Sequence, residues 1–384
     1  MMLTISEISS KSSGLLFIFI SLIGMAGCSF WQSRDTESQV KGPVANQQPV
    51  VVNGIRVSYA DVVEKTSPAV VQIEAEIPTS VSQNQFPFGG DEFFKRLFPE
   101  DDGEHRAQRG AGSGVLVGAD GTILTNHHVI DGATKILVKL QTGKTLEAKV
   151  VGSDAPSDLA VLKVVGDNFP FLQLGDSDQV RVGDIVLAIG NPLGIGQTVT
   201  AGIISAKGRR TGISDGAFED FLQTDAPINR GNSGGALVNL NGELIGINSQ
   251  IISSTGGSIG IGFAIPSNMS KNVMSQLLDG GTVKRGRLGI MMEEVTADVA
   301  ERLGLEKPIG ALVSQVIPNS AAEKAGIKPN DIIVAVEGDR MESGNALRNK
   351  IAGIRPGTSV KITVIRNRSE LEVVAKLGEF VAAR

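Results

Sequence analysis

The chain has 384 residues, 36 basic and 41 acidic side chains, a net charge of −5 and 41% hydrophobic residues. That length holds two or three domains with buried cores, and the acidic balance excludes a general nucleic-acid binder. One cysteine excludes an intrachain disulfide or a cysteine-based zinc or iron–sulfur site; with three histidines in all, His105, His127 and His128, neither a metal nor another cofactor is expected.

The first element in chain order is an apolar run from Gly14 to Gly27. It is shorter than the roughly 20 residues of a membrane-spanning helix and fits a secretory signal core. The only cysteine, Cys28, follows Met25-Ala26-Gly27. Small residues before a cysteine at the end of such a run resemble a bacterial lipoprotein box. The resemblance implies a signal peptide over 1–27, cleavage before Cys28 and acylation of its thiol. Ser29 behind it favours the outer membrane as destination. An uncleaved short anchor with an inert Cys28 is the alternative, and either places the remainder outside the cytoplasm. Residues 28–55 read as a polar tether.

The stretch Ala69–Ala75 reads as a strand, and residues 77–110 then break the pattern. This long loop carries Phe86, Phe88, Phe93, Phe94 and Phe98 among Gly, Pro and charges. Clustered Phe argues for a contact surface rather than plain disorder. From Gly110 short Val/Ile/Leu runs recur between Gly, Asp and Asn turns, without intervening helices, which predicts an all-β barrel or sandwich. A helix is expected over 266–280, with Met269, Val273, Met274, Leu277 and Leu278 on one face, Ser267 or Asn268 capping it and Gly280 ending it. Residues 286–379 form a second unit of short strands and helical turns, including Ser320–Ala325 closed by Gly326.

The strongest chemical signal is Gly231-Asn-Ser-Gly-Gly235. Flanking glycines let the backbone approach a substrate and expose the Ser233 hydroxyl. They also let the Gly231 and Ser233 amides converge as an oxyanion hole, with Asn232 between them. The same residues match G-x-S-x-G, but that fold needs a histidine after the serine and none follows residue 128. A base must come from upstream. Thr125-Asn-His-His-Val-Ile130 offers two imidazoles; read as extended, it points them opposite ways, so only one can face Ser233. Asp158, at the mouth of the apolar stretch Leu159–Val165, needs a partner and can orient an imidazole. The order His, Asp, Ser is that of the chymotrypsin-type arrangement.

Thr125-Asn-x-His-Val129, Ser157-Asp-Leu-Ala160, Gly190-Asn-Pro-Leu-Gly194, Thr224-Asp-Ala226, Gly231-Asn-Ser-Gly-Gly235 and Gly262-Phe-Ala-Ile-Pro266 together resemble the HtrA/Deg family of extracytoplasmic serine proteases, from about Val57 to Glu379. The resemblance implies a mostly β chain: a chymotrypsin-like double β-barrel over 56–281, followed by a PDZ domain over 286–379. It selects His128 over His127 and makes His128, Asp158 and Ser233 the catalytic set. It further implies ATP-independent degradation of unfolded or misfolded envelope polypeptides in the periplasm, and homotrimers. The Phe-rich loop resembles the family's long regulatory loop, and Ser205-Ala-Lys-Gly-Arg209 the loop whose arginine relays activation, with Arg210 beside it. Ile259, Ile261 and Phe263 are the nearest pocket candidates; without an acidic equivalent they predict cleavage after Val or Ala. Arg287-Leu-Gly-Ile290 resembles a PDZ carboxylate-binding loop, where successive amides capture a peptide C-terminus.

Three readings of function follow: a quality-control endopeptidase, a regulatory protease that cuts one anti-sigma factor, and a PDZ-bearing chaperone with an idle serine. An intact set of Ser, His and Asp disfavours the last. The long Phe-rich loop favours the first over the second.

Overall fold

The computed structural model describes residues 51–52, 55–56, 58–78, 108–191, 196–212, 218–229, 231–251, 258–303 and 305–381. The signal segment, Cys28, most of the tether and nearly all of the Phe-rich loop lie outside them. A two-residue pair, β1 (Val51–Val52) with β2 (Ile55–Arg56), precedes helix α1 (Ala60–Thr66).

Six strands then close a barrel in the order β3-β4-β5-β8-β7-β6. They are β3 (Val70–Ile77), β4 (Gln108–Leu116), β5 (Thr122–Thr125), β6 (Lys135–Lys139), β7 (Thr145–Asp154) and β8 (Leu159–Val164). Helix α2 (His127–Ile130) interrupts them after β5. A second barrel closes in the order β10-β11-β14-β13-β12-β9, from β9 (Ile185–Gly190), β10 (Thr198–Arg209), β11 (Phe221–Thr224), β12 (Ala236–Asn239), β13 (Leu244–Ile251) and β14 (Gly262–Pro266). Closure pairs every strand on both edges, which is how short, non-alternating runs such as Leu159–Val164 can be buried almost throughout. The expected chymotrypsin-like double β-barrel is thus the observed architecture.

Helix α3 (Ser267–Gly280) packs on β7, β8 and β13. Val273 and Leu277 are buried as expected, but Leu278 is 48% exposed and falls outside the buried stripe. Neither expected cap is used. Pro266 is the N-cap, the Ser267 hydroxyl donates instead to the Gly175 carbonyl at 2.7 Å, and Gly281, at φ +69°, ends the helix in the left-handed region.

The third sheet has the order β16-β17-β18-β20-β21, with β16 (Ile290–Glu294), β17 (Ala311–Val316), β18 (Ile332–Val336), β20 (Ser359–Arg366) and β21 (Ser369–Lys376). The short β19 (Asp339–Arg340) pairs β18, while β15 (Gly286–Arg287) pairs β22 (Gly378–Glu379). Here alternation is plain: Val360, Ile362 and Val364 of β20 point inward between exposed Ser359 and Lys361 and half-buried Thr363. Helices α4 (Ala297–Leu303), α5 (Ala321–Lys324) and α6 (Gly344–Ala352) complete this PDZ unit. Ser320 caps α5 by accepting from the Glu323 amide at 3.2 Å.

The PDZ unit is tied to the barrels by polar and aromatic contacts. Asn345 and Asn349 of α6 donate to the Glu219 carbonyl at 2.9 and 2.7 Å. The Phe218 ring lies between the guanidinium groups of Arg285 and Arg348, 4.5 and 4.6 Å from its centroid, and meets Phe380 edge-on. Arg285, in the segment joining the two parts, forms a buried bidentate pair with Asp154, Nη1 to Oδ1 at 2.8 Å. Asp154 also caps the one-turn helix Ala155–Ser157 through the Ser157 amide at 3.1 Å. Removing one member of a buried pair leaves an uncompensated charge. Asp154→Ala is therefore expected to lower stability by about 3–5 kcal/mol in urea unfolding, while the double change Asp154→Leu with Arg285→Met stays near the wild-type midpoint.

Candidate active site

Asp158 sits between the one-turn helix and β8 in the left-handed conformation, φ +53° and ψ +41°. That kink turns its carboxyl from the strand toward α2. The His128 amide donates to Oδ1 at 3.1 Å, and His128 Nδ1 lies 2.9 Å from both carboxylate oxygens. The Ser249 hydroxyl, from β13 in the other barrel, donates to Oδ2 at 2.9 Å. The Asp158 carbonyl takes the Asn126 side-chain amide at 3.0 Å and the His127 amide at 3.1 Å. With Nδ1 facing a carboxylate, Nδ1 carries the proton and Nε2 is left as acceptor.

Residues 127–130 are helical rather than extended. Alternation therefore does not separate the two imidazoles; adjacent positions on a helix differ by about 100°. What separates them is contact. His128 meets Asp158, whereas His127 Nε2 lies 3.7 Å from Asp131. His105 lies outside the described residues.

Burial is the largest influence on the His128 ring and disfavours its charged form. The opposing charge and hydrogen bond of Asp158, with the Asp131 charge added, outweigh it and raise His128 above its ordinary 6.5.

Ser233 is brought to this cleft from the second barrel. Its hydroxyl donates to the Ser249 carbonyl at 3.0 Å, so Ser249 touches both Asp158 and Ser233. The loop beneath is clamped by Ser113 of β4. Its amide donates to the Ser233 carbonyl at 2.8 Å, its hydroxyl to the Gly231 carbonyl, and that hydroxyl accepts the Asn191 amide at 2.8 Å. A Cβ on Gly234, at φ +80°, would collide with the Ser113 carbonyl oxygen; the glycine is there because two barrels meet backbone to backbone.

Of the three expected oxyanion donors, Asn232 is corrected. Its amide donates to the Asn229 carbonyl at 3.0 Å and is committed within the turn. Gly231, at φ +92°, and Ser233 remain the candidates. Phe263 is 3% exposed and packs on Phe221 at 5.7 Å, whereas Ile259 is 58% exposed and Ile261 half-buried. Fully buried Ile228 lies where a Cβ on Gly262 would meet it. Arg209 donates through Nε to Gln223 at 3.1 Å; burial disfavours the charged form of Arg348 on α6, and the charges of Arg210, beside Arg209, and of Arg285 act in the same direction.

Ser249, Ser113 and Ile228 escape sequence reasoning. They sit in ordinary strand or turn contexts, and register alone brings them to the site.

At the second candidate site, the Leu288 and Gly289 carbonyls accept from the Ala322 and Ile317 amides at 2.9 and 3.0 Å. The loop is thus fastened to the body of the unit through its carbonyls. Beside it β16 is an edge strand, and Gly344 of α6 approaches Met292 of that strand. A 430 Å³ cavity next to the loop is lined by Arg287, Lys324 and Lys376 among others. Among the described residues no group of three or more His, Cys, Asp or Glu could hold a metal ion.

Residues 112–247 match the trypsin-like peptidase domain and residues 286–377 the PDZ domain. The chain is 46% identical over 355 residues to the periplasmic pH-dependent serine endoprotease DegQ of Escherichia coli strain K12, covering 91% of this chain and 75% of that protein. It is 44% identical over 344 residues to the periplasmic serine endoprotease DegP of the same organism, covering 84% and 72%. Among solved structures, the HtrA-type protease AlgW with tripeptide has a TM-score of 0.66 and 40% identity, over 85% of this chain and 98% of that one.

If His128 is the base, kcat/KM must fall on the acid side as it charges, with a midpoint above 6.5 because its neighbours favour the imidazolium. Asp158→Asn should lower that midpoint and reduce kcat about 10⁴-fold, read from pH–rate profiles on a peptide substrate.

Proposed function

The chain belongs to the HtrA/Deg family of periplasmic serine endoproteases, and from that premise we propose that Ser233, His128 and Asp158 carry out its peptide hydrolysis. The observation that carries the assignment is the shared use of Ser249, which joins Asp158 of one barrel to Ser233 of the other. Ser233 Oγ leaves the Ser249 carbonyl, gives its proton to His128 Nε2 and attacks the scissile carbonyl. The Gly231 and Ser233 amides receive the developing oxyanion. His128 then returns the proton to the leaving amine, and water repeats the sequence on the acyl-enzyme. Asp158 holds the ring in the required tautomer and stabilises its charged form.

Ile259, Ile261 and Phe263, joined by Ile228, form an apolar pocket that prefers Val or Ala before the cut. The protease part extends over 56–281 and the PDZ part over 286–379. The PDZ unit takes exposed peptide C-termini at Arg287–Ile290, adding the peptide as a strand on the open edge of β16; the tripeptide- and decapeptide-bound AlgW structures support this. Arg209, or Arg210 beside it, relays that occupancy. Substrates are unfolded or misfolded envelope proteins. Exposed Val182, Ile185 and Ile203, the last two paired across β9 and β10, support self-association, which we take to be a trimer. Cys28 anchors the chain to a membrane facing the periplasm.

The full chain should cut an unfolded, casein-like protein at many positions, mainly after Val or Ala, and Ser233→Ala should cut at none. A single cut in one partner only would favour the regulatory reading. Cutting mainly after Lys or Arg would remove the pocket assignment.

A further inference from the structure

Ser249 touches both Asp158 and Ser233, and the strand that carries it is irregular at that point. In the pairing of β13 with β14, Asn248 faces Ala264 and Gln250 faces Phe263, so Ser249 is the extra residue of a β-bulge. A bulge re-aims the side chain it carries and interrupts the ladder locally. The backbone at residue 249 therefore depends on side-chain contacts as well as on strand pairing. Ser249 is buried, with its hydroxyl given to Asp158 and its carbonyl accepting from Ser233.

Gln250, the next residue, is anchored outside the β13–β14 ladder. Its Nε2 donates to Thr211 Oγ1 at 3.1 Å, just beyond the end of β10. Thr211 is in turn fixed by Glu219, which is 5% exposed. Glu219 Oε1 accepts the Thr211 hydroxyl at 2.8 Å, and Oε2 accepts the Thr211 and Gly212 amides at 2.6 and 3.1 Å. A buried carboxylate needs donors, and these three supply them. A hydroxyl has one proton to give. Given to Glu219, it leaves the Thr211 oxygen as an acceptor, so Gln250 presents its amide nitrogen there. The chain Gln250–Thr211–Glu219 thus runs in one direction and ends on a charge, which polarises each bond in it. Glu219 is itself held at its carbonyl by Asn345 and Asn349.

We propose that Gln250 is a positioning residue for peptide hydrolysis: anchored through Thr211 to Glu219, it holds the bulge in the shape at which Ser249 joins Asp158 to Ser233. In the mechanism above Gln250 touches none of the reacting groups; it acts through the backbone of Ser249. Asp158 and Ser233 do their work in the transition state, so a shifted bulge costs turnover and leaves ground-state binding in place. The inference rests on Ser233, His128 and Asp158 being the catalytic set.

The test is steady-state kinetics of the full chain on a peptide substrate at about pH 8, for wild type, Gln250→Met, Thr211→Val and the two combined. Each single change should lower kcat about tenfold, the scale of a sub-ångström misplacement of reacting groups, with KM within about twofold. The double variant should fall no further than the worse single one, because both break one chain; independent effects would multiply. A kcat within about twofold of wild type in either single variant overturns the proposal. So does a multiplicative double variant, or a raised KM with kcat unchanged, which would assign Gln250 to substrate binding. Should Thr211→Val fail to fold, the near-isosteric Gln250→Glu decides: it sets an acceptor against the Thr211 oxygen, and kcat must fall at least as far as in Gln250→Met. Ser233→Ala is run beside them. Residual turnover there overturns the catalytic assignment and the inference with it, whereas unchanged Gln250 kinetics overturn the inference alone.

Discussion

Burying a carboxylate between two β-barrels is costly unless donors surround it, and the cleft of this protein is organised around that requirement at Asp158. The His128 amide and ring and the Ser249 hydroxyl supply its side-chain partners. Its carbonyl is held by Asn126 and His127. These donors come from α2 and its N-cap Asn126 in one barrel and β13 in the other. Satisfying a single buried group therefore fixes the His128 ring and the register of the two barrels together. The left-handed backbone at residue 158 is the local strain that this arrangement tolerates.

Ser233, the proposed nucleophile, is placed by a second, complementary clamp. Ser113 belongs to the first barrel but binds the carbonyls of Gly231 and Ser233 in the second. Small residues are needed wherever these backbones meet, as at Gly234. The Gly-Gly pair after Ser233 is thus a packing requirement. Because Ser249 binds Asp158 through its hydroxyl and Ser233 through its carbonyl, the two clamps share one residue.

Much of this is legible in the sequence, and each exception has its own physical cause. Strand runs, the Gly-flanked serine, the aspartate before an apolar stretch and the absence of any histidine after residue 128 are local signals, and they lead to the right architecture. Residues 127–130 mislead because four residues are too few to show a helical period. Leu278 misleads because the partner surface is narrower than the apolar stripe. Ser249 cannot be found locally at all, since it reaches Asp158 across 91 positions through barrel closure alone. Asn232 sits inside the right motif, but its amide is spent on the turn that presents its neighbours.

Lineages change domain content by deletion as well as by point substitution, and the Arg285–Asp154 pair sets the order in which this chain can do so. Arg285 lies beyond the last helix of the barrels, in the segment leading to the peptide-binding unit, while Asp154 lies four residues before Asp158. A descendant that lost everything after residue 281 would keep Asp154 without its guanidinium partner, four residues before Asp158. Neutral change at position 154 would have to come first, and while Arg285 remains that change is itself costly. The pair thus ties any loss of the second unit to a change at position 154.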